Sequence, residues 1–243
     1  MMNNLQGKTA FVTGGTKGIG FGIAAALLQK GVNVAITGRS QSTVRDAIKK
    51  LNENGNDSTY AIGVEADVRN MESQKEAVSQ IVEEFGRMDF VIANAGLGHF
   101  ASVKDLTLTE WNETIETNLT GVFLTLKASL DQLIKNKGYF ITISSLAGTN
   151  FFANGSAYNA SKFGVTGFTQ AAMLDLRKDG VKVSTIMPGS VATHFNGNEP
   201  NEEDDWKIQI EDVGQIVVDL LQMHPRTLPS KVEVRPSVPK SSS

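Results

Sequence analysis

Tyr158 and Lys162 stand four residues apart in the stretch Tyr158-Asn159-Ala160-Ser161-Lys162. On a helix that spacing stacks them on one face. A free tyrosine hydroxyl, with a pKa of about 10, is a poor acid at neutral pH, and a neighbouring ammonium lowers that value by favouring the phenolate. The pair therefore reads as a tuned proton donor. Ser145, thirteen residues before Tyr158, offers a hydroxyl that can orient whatever accepts the proton. The other two tyrosines, Tyr60 and Tyr139, fall on expected strands away from this stretch, so no rival donor is evident. Tyr-x-x-x-Lys also occurs as a solvated lysine beside a half-buried tyrosine. The surrounding chain decides between the two.

A second constellation lies near the start. Thr13-Gly14-Gly15-Thr16-Lys17-Gly18-Ile19-Gly20 joins an apolar strand to a helical stripe. Glycines there permit a tight turn and let backbone N–H groups approach a pyrophosphate, and the helix N-terminus adds partial positive charge. The spacing is G-x-x-x-G-x-G rather than the usual G-x-G-x-x-G dinucleotide fingerprint. An NAD site usually carries an acid about 20 residues further on, for the ribose hydroxyls. Here the second strand ends Gly38-Arg39-Ser40, with no Asp or Glu between Gly31 and Arg45. Arg39 presents a planar, permanently charged fork suited to a 2′-phosphate, and Lys17 is a second cation. The expected cofactor is NADP(H), and no metal site is expected.

These residues need a scaffold of alternating strands and helices. Strands are expected at Thr9–Thr13, Asn33–Thr37, Tyr60–Ala66, Phe90–Ala93, Tyr139–Ser144, Val183–Met187 and Val232–Arg235. Helices are expected from Ile19 to Leu28, from a Ser40 or Ser42 cap through Leu51 to near Gly55, and over Asn70–Phe85. A long helix opens with a capping box at Thr107 and Glu110 and runs through Ile134; two more cover Ala157–Lys178 and Val213–Met223. Alternation with early strands apolar on both faces predicts a doubly wound, Rossmann-type parallel sheet of about seven strands covered by helices. One NAD(P)-binding domain over 1–243 is expected, with a cofactor half at about 8–100 and a substrate half at about 101–238. The acidic run Glu199–Trp206 reads as a loop over the site and Ser241–Ser243 as a tail.

Composition excludes other classes. The 243 residues are 40% hydrophobic and 20% charged, with net charge −3. That balance disfavours nucleic-acid and anionic-membrane partners, which require basic patches. No cysteine is present, and His99, His194 and His224 are scattered without ligand spacing. Met1–Lys8 is polar and no apolar run is long enough to span a bilayer, so the expectation is a cytoplasmic protein.

From Lys8 to about Pro236 the motifs resemble those of the short-chain dehydrogenase/reductase family. Thr13-Gly14-x-x-x-Gly18-x-Gly20 resembles its cofactor turn, which brings Thr16, Lys17 and Ile19 with it, and Arg39 and Ser40 follow on the second strand. Asp67-Val68 is similar to its adenine-contacting pair and Asn94-Ala95-Gly96 to its strand-four motif. Pro188-Gly189-x-Val191-x-Thr193 is similar to its nicotinamide loop. Asn118, Ser145, Tyr158 and Lys162 match its catalytic set. The resemblance implies hydride transfer between a nicotinamide and a carbonyl or alcohol carbon of a small molecule. Tyr158 would donate the proton, Ser145 polarise the oxygen, Lys162 hold the ribose and lower the Tyr158 pKa, and Asn118 position a water. It also implies a homodimer or homotetramer. Among the relatives, 3-oxoacyl-carrier-protein reductases dock an acidic partner with arginines where this chain has Asn136 and Asp179. A free carbonyl substrate is therefore favoured, with acyl thioester reduction as the alternative and a non-catalytic NADP(H) sensor or scaffold as a rival class. His99, Phe100, Phe151, Phe152, Met187, His194 and Phe195 are the candidate pocket contacts.

Overall fold

A computed structural model describes residues 3–53 and 59–238. The expected stop near Gly55 and the tail at 241–243 lie outside the described residues. Seven strands form one sheet in the order β3-β2-β1-β4-β5-β6-β7, every neighbouring pair parallel. They are β1 (Thr9–Val12), β2 (Asn33–Gly38), β3 (Ala61–Glu65), β4 (Phe90–Ala93), β5 (Tyr139–Ile143), β6 (Lys182–Pro188) and β7 (Lys231–Val234). The helices are α1 (Gly18–Gln29), α2 (Gln41–Glu53), α3 (Met71–Phe85), α4 (Leu108–Ile115), α5 (Gly121–Asn136), α6 (Ser156–Leu176) and α7 (Ile210–Gln222).

Strand alternation sends side chains to two separate cores. Ala10 and Val12 of β1 join Ile23, Leu27, Val213 and Val217 from α1 and α7 on one face. Phe11, between them, joins Ala77, Ile81, Leu126 and Val165 from α3, α5 and α6 on the other. β1 is therefore buried on both sides, which is why Ala10, Phe11 and Val12 read as an unbroken apolar run. β1 pairs with β2 on one flank and β4 on the other, so the winding reverses between β1 and β4. In open α/β sheets that reversal opens a crevice at the carboxyl ends of the strands.

Two local expectations need correction. Ser42 lies inside α2 rather than capping it; only Ser40 precedes the first turn. The long helix from Thr107 is not continuous. Its capping box forms as expected, with Glu110 Oε2 accepting from Thr107 N at 2.9 Å. After Ile115, however, the chain makes a π-helical turn over Glu116–Thr120 before α5 begins. Hydrophobic periodicity does not register one extra residue of this kind when it is flanked by good helix.

Candidate active site

The crevice holds a cavity of about 500 Å³. Each loop entering it is built from a strand end. Thr13, at the end of β1, accepts from the N–H groups of Asn94 and Ala95 through Oγ1 at 3.1 and 3.2 Å. The Asn94 amide donates back to the carbonyls of Thr13 and Gly14 at 2.9 and 3.0 Å. The glycine turn is thereby braced against the end of β4. Gly14 has φ +64, and a Cβ there would lie 2.8 Å from the Ala95 Cα. A side chain would thus meet both backbone strain and a clash.

Gly14, Thr16, Lys17, Gly18 and Ile19 line the cavity, as do Arg39, Asp67 and Val68. Asn94, Ala95 and Gly96 line its middle, with Pro188, Gly189, Val191 and Thr193 opposite. Two expected cofactor residues stand outside this wall. Gly20 is buried behind it, where a Cβ would lie 2.5 Å from Asn94 Nδ2, so its role is close packing. Ser40 lines an adjoining depression together with Lys17, Arg39 and Thr43. Thr37, Ala66, Thr117, Ile143, Asn198 and Lys207 also line the cavity and were not singled out from sequence. Lys207 pairs with Asp204 at 2.6 Å, and an acidic run with one following lysine was the available signal.

The electrostatics of the glycine turn suit an anion. No side chain caps α1, and no acid lies in its first turn. Its leading N–H groups therefore lack side-chain acceptors. Arg39 and Lys17 are exposed and form no ion pair among the described residues. Asp67, by contrast, is held by Arg69, whose Nη2 lies 2.6 Å from Oδ2, and that pairing keeps its carboxyl below the usual range. Further in, the Thr117 hydroxyl is buried in the wall with no hydrogen-bond partner among the described residues. Buried helix threonines elsewhere here donate to the carbonyl four residues back, as Thr114, Thr125 and Thr169 do. Thr117 belongs to the π-helical turn. A polar, phosphate-bearing nucleotide fits this cradle.

Ser145, Tyr158 and Lys162 line the same cavity. Ser145 follows β5 and accepts from Ala147 N at 3.1 Å, which fixes its rotamer. Tyr158 lies in the first turn of α6. Lys162, one turn on, is 5% exposed and donates to the Ile143 carbonyl at 2.9 Å, with its Nζ 5.6 Å from the Tyr158 ring centroid.

The expected effect of Lys162 on Tyr158 is not seen. Burial pushes the Tyr158 hydroxyl up, the Ser145 hydrogen bond counteracting it, and burial lowers Lys162 to about 8. Desolvation disfavours the charged form of each group. Asn118, in the π-helical turn, is fully buried and does not line the cavity. It clamps Leu97, accepting from its N–H and donating to its carbonyl, both at 2.8 Å, and also donates to Ser161 Oγ at 3.0 Å. Both amide donors are taken, so its side chain positions the loop after β4.

Of the candidate pocket residues, Phe100 and Phe195 pack against the Tyr158 ring. His194 lines the cavity, while His99 is turned to Glu113 at 2.9 Å. Phe151 is 86% exposed and Met187 fully buried, so neither forms the pocket.

The family model for short chain dehydrogenase matches residues 8–204. This chain belongs to that family. As a short-chain dehydrogenase it is similar along nearly its whole length to an "uncharacterized oxidoreductase" of Staphylococcus saprophyticus, at 32% identity over 97% of this chain and all of the relative. The 3-oxoacyl-[acyl-carrier-protein] reductase of Vibrio cholerae is 36% identical over 78% of this chain and 76% of its own length. A short chain dehydrogenase from Burkholderia cenocepacia, crystallised in complex with NADP, superposes with a TM-score of 0.86 at 28% identity, covering 96% of this chain and 98% of the other. The dehydrogenase fold is thus shared from β1 through β7, and the chain is an oxidoreductase of this family acting between CH–OH and C=O.

Proposed function

We propose that this short-chain dehydrogenase uses NADP(H) to interconvert a small-molecule carbonyl compound and its alcohol. The observation that carries this reading is convergence: Ser145, Tyr158 and Lys162 line the same cavity as Lys17, Arg39 and the uncapped N-terminus of α1. The NADP bound by the Burkholderia relative supports the cofactor assignment.

Arg39 and Lys17 would hold the 2′-phosphate, the N–H groups opening α1 the pyrophosphate, and Thr193 and Val191 the nicotinamide end. The bound nicotinamide supplies hydride chemistry. Ser145 Oγ hydrogen-bonds the carbonyl oxygen as charge builds on it. Tyr158 then passes its hydroxyl proton to that oxygen, and the raised pKa keeps this proton in place at neutral pH. Lys162 steadies the phenolate that remains.

An NADPH-oxidation screen across ketones, aldehydes and quinones tests the proposal, with Tyr158→Phe as the control. The variant should lose about 10²–10⁴-fold in rate, the usual contribution of a positioned acid, while NADPH affinity stays within about twofold because the ring still packs. Reduction should slow as pH rises through the apparent pKa of Tyr158, because the acid must be protonated. Substantial activity in Tyr158→Phe would refute the assignment.

The likeness to the Vibrio reductase favours a second reading, reduction of a 3-oxoacyl thioester. Against it, the Asn136 amide is engaged by the carbonyls of Met88 and Gln132, and Glu199, Glu202 and Glu203 lie exposed near the site. A 3-oxobutanoyl thioester in the same screen separates the two.

A further inference from the structure

Tyr158 and Phe195 line the cavity, and Phe100 and Phe152, which do not, extend them into a strip of four aromatic rings. Phe195 and Phe100 lie 5.7 and 5.3 Å from the Tyr158 ring and 6.3 Å from each other, and Phe152 lies 5.9 Å beyond Phe100. Phe100 and Phe152 remain 39% and 49% exposed, so the strip ends in apolar surface. Exposed ring area is unfavourable in water, and an apolar ligand that covers it removes that cost.

The strip is held by design features of the backbone. Ala101 and Gly155 form an isolated parallel bridge, which ties the loop after β4 to the loop before α6 and sets Phe100 beside Phe152. Asn159 fixes the second loop. It donates to the carbonyls of Ala147 and Asn150 at 2.8 Å each and accepts from Phe152 N at 3.4 Å. Two glycines make room for the rings. A Cβ on Gly98 would lie 2.8 Å from Phe100 and 3.0 Å from Phe195, and one on Gly155 would lie 2.5 Å from Phe152. His99, next to Phe100 in the chain, is paired with Glu113.

From this arrangement we propose that Phe100, Phe152 and Phe195 form a preorganised substrate wall, selecting a neutral ketone with an aryl or similarly flat apolar group. The inference rests on the oxidoreductase reading above and gives it a substrate class. The ketone lies with its carbonyl at Ser145 and Tyr158 and its ring against Phe100. It gains a hydride from NADPH at carbon, forming C–H while the C=O π pair moves to oxygen. That oxygen takes the proton as the Tyr158 O–H bond breaks, giving a secondary alcohol and NADP⁺.

Acetophenone and 2-octanone, equal in carbon number, are the probes. Wild type should favour acetophenone in kcat/KM, and Phe100→Ala and Phe152→Ala should each cut that preference about two- to tenfold, the value of an aromatic pair beyond its area. NADPH affinity, read by fluorescence titration, should not move. Equal or reversed preference in wild type, or a preference that survives in both variants, overturns the proposal. So does a change in oligomeric state with no change in preference, which would make the strip a subunit contact. If wild type reduces no carbonyl compound at all, the oxidoreductase reading fails, and saturation-transfer NMR with acetophenone on the NADPH-loaded protein decides the wall separately. Binding that weakens in Phe100→Ala supports it, and no binding refutes it.

Discussion

Replacing Lys162 by Met should make the cofactor-free protein more stable at neutral pH and should abolish that advantage in alkali. The ammonium is buried, with the Ile143 carbonyl as its hydrogen-bond acceptor, and its pKa falls from 10.5 to about 8. At about 1.4 kcal/mol per pH unit, carrying that charge costs the folded state on the order of 3 kcal/mol. Methionine has similar length and no charge, and loses one hydrogen bond of about 1 kcal/mol. The net expectation is a variant about 2 kcal/mol more stable at pH 7. Between pH 8 and 10.5 the unfolded wild-type chain holds a proton that the folded chain has released, so wild-type stability rises with pH. Integrating that linkage, the gap should close by about 2 kcal/mol between pH 7 and 9.5. Burial holds the Tyr158 hydroxyl above its ordinary value in the wild type. Urea unfolding followed by circular dichroism at pH 7, 8, 9 and 9.5 measures the gap, and other titrating groups cancel in the difference. A gap that stays constant or widens would show that the lysine is not carrying a desolvated charge.

The remaining expectations concern the cofactor and the assembly. Arg39→Asp should weaken NADPH binding about ten- to a hundredfold, the worth of a charge-assisted pair of about 1.5–3 kcal/mol, and leave NADH nearly unaffected; equal losses for both, by fluorescence titration, would remove Arg39 from the 2′-phosphate. Phe123, Phe163 and Leu174 are exposed on α5 and α6, with Phe123 edge-on to Phe168 at 6.1 Å. Light scattering should therefore find a dimer or tetramer, and a monomer at micromolar concentration would count against that face as a contact.

The sheet was legible because its central strands are short and apolar, because helix-period stripes alternate with the strands from β1 to β6, and because β1 is buried on both faces. The glycine turn and the Ser145, Tyr158, Lys162 set were legible because their chemistry constrains both residue type and spacing. What escaped depends on three-dimensional surroundings. Four-residue spacing puts Lys162 near Tyr158 but says nothing of water, and exclusion of water reverses the expected sign of the tyrosine shift. Asp67 was read as part of an adenine-contacting pair, and its pairing with Arg69, two residues on, shows only in three dimensions. Asn118 was read as a site residue, but its bonds to Leu97 come from a loop twenty-one positions away in sequence. Phe151 and Phe152 are adjacent and chemically identical, yet Phe152 packs on Phe100 while Phe151 faces solvent.

The π-helical turn sets the phase between two halves of one rod. Each residue of an α-helix advances about 100°, and the widened turn at Glu116–Thr120 absorbs such an offset. Without it, α4, capped at Thr107, and α5, seated on the sheet through Val122 and Leu126, could not both keep their own faces turned inward. Asn118 stands inside the offset itself. A single-residue deletion there would let the rod run on as regular helix, and the asparagine would swing away from Leu97 while the core of α5 stayed packed. The chemistry of the site is thus gated by a count of residues, and can be lost by slippage in a place where no contact to substrate is made.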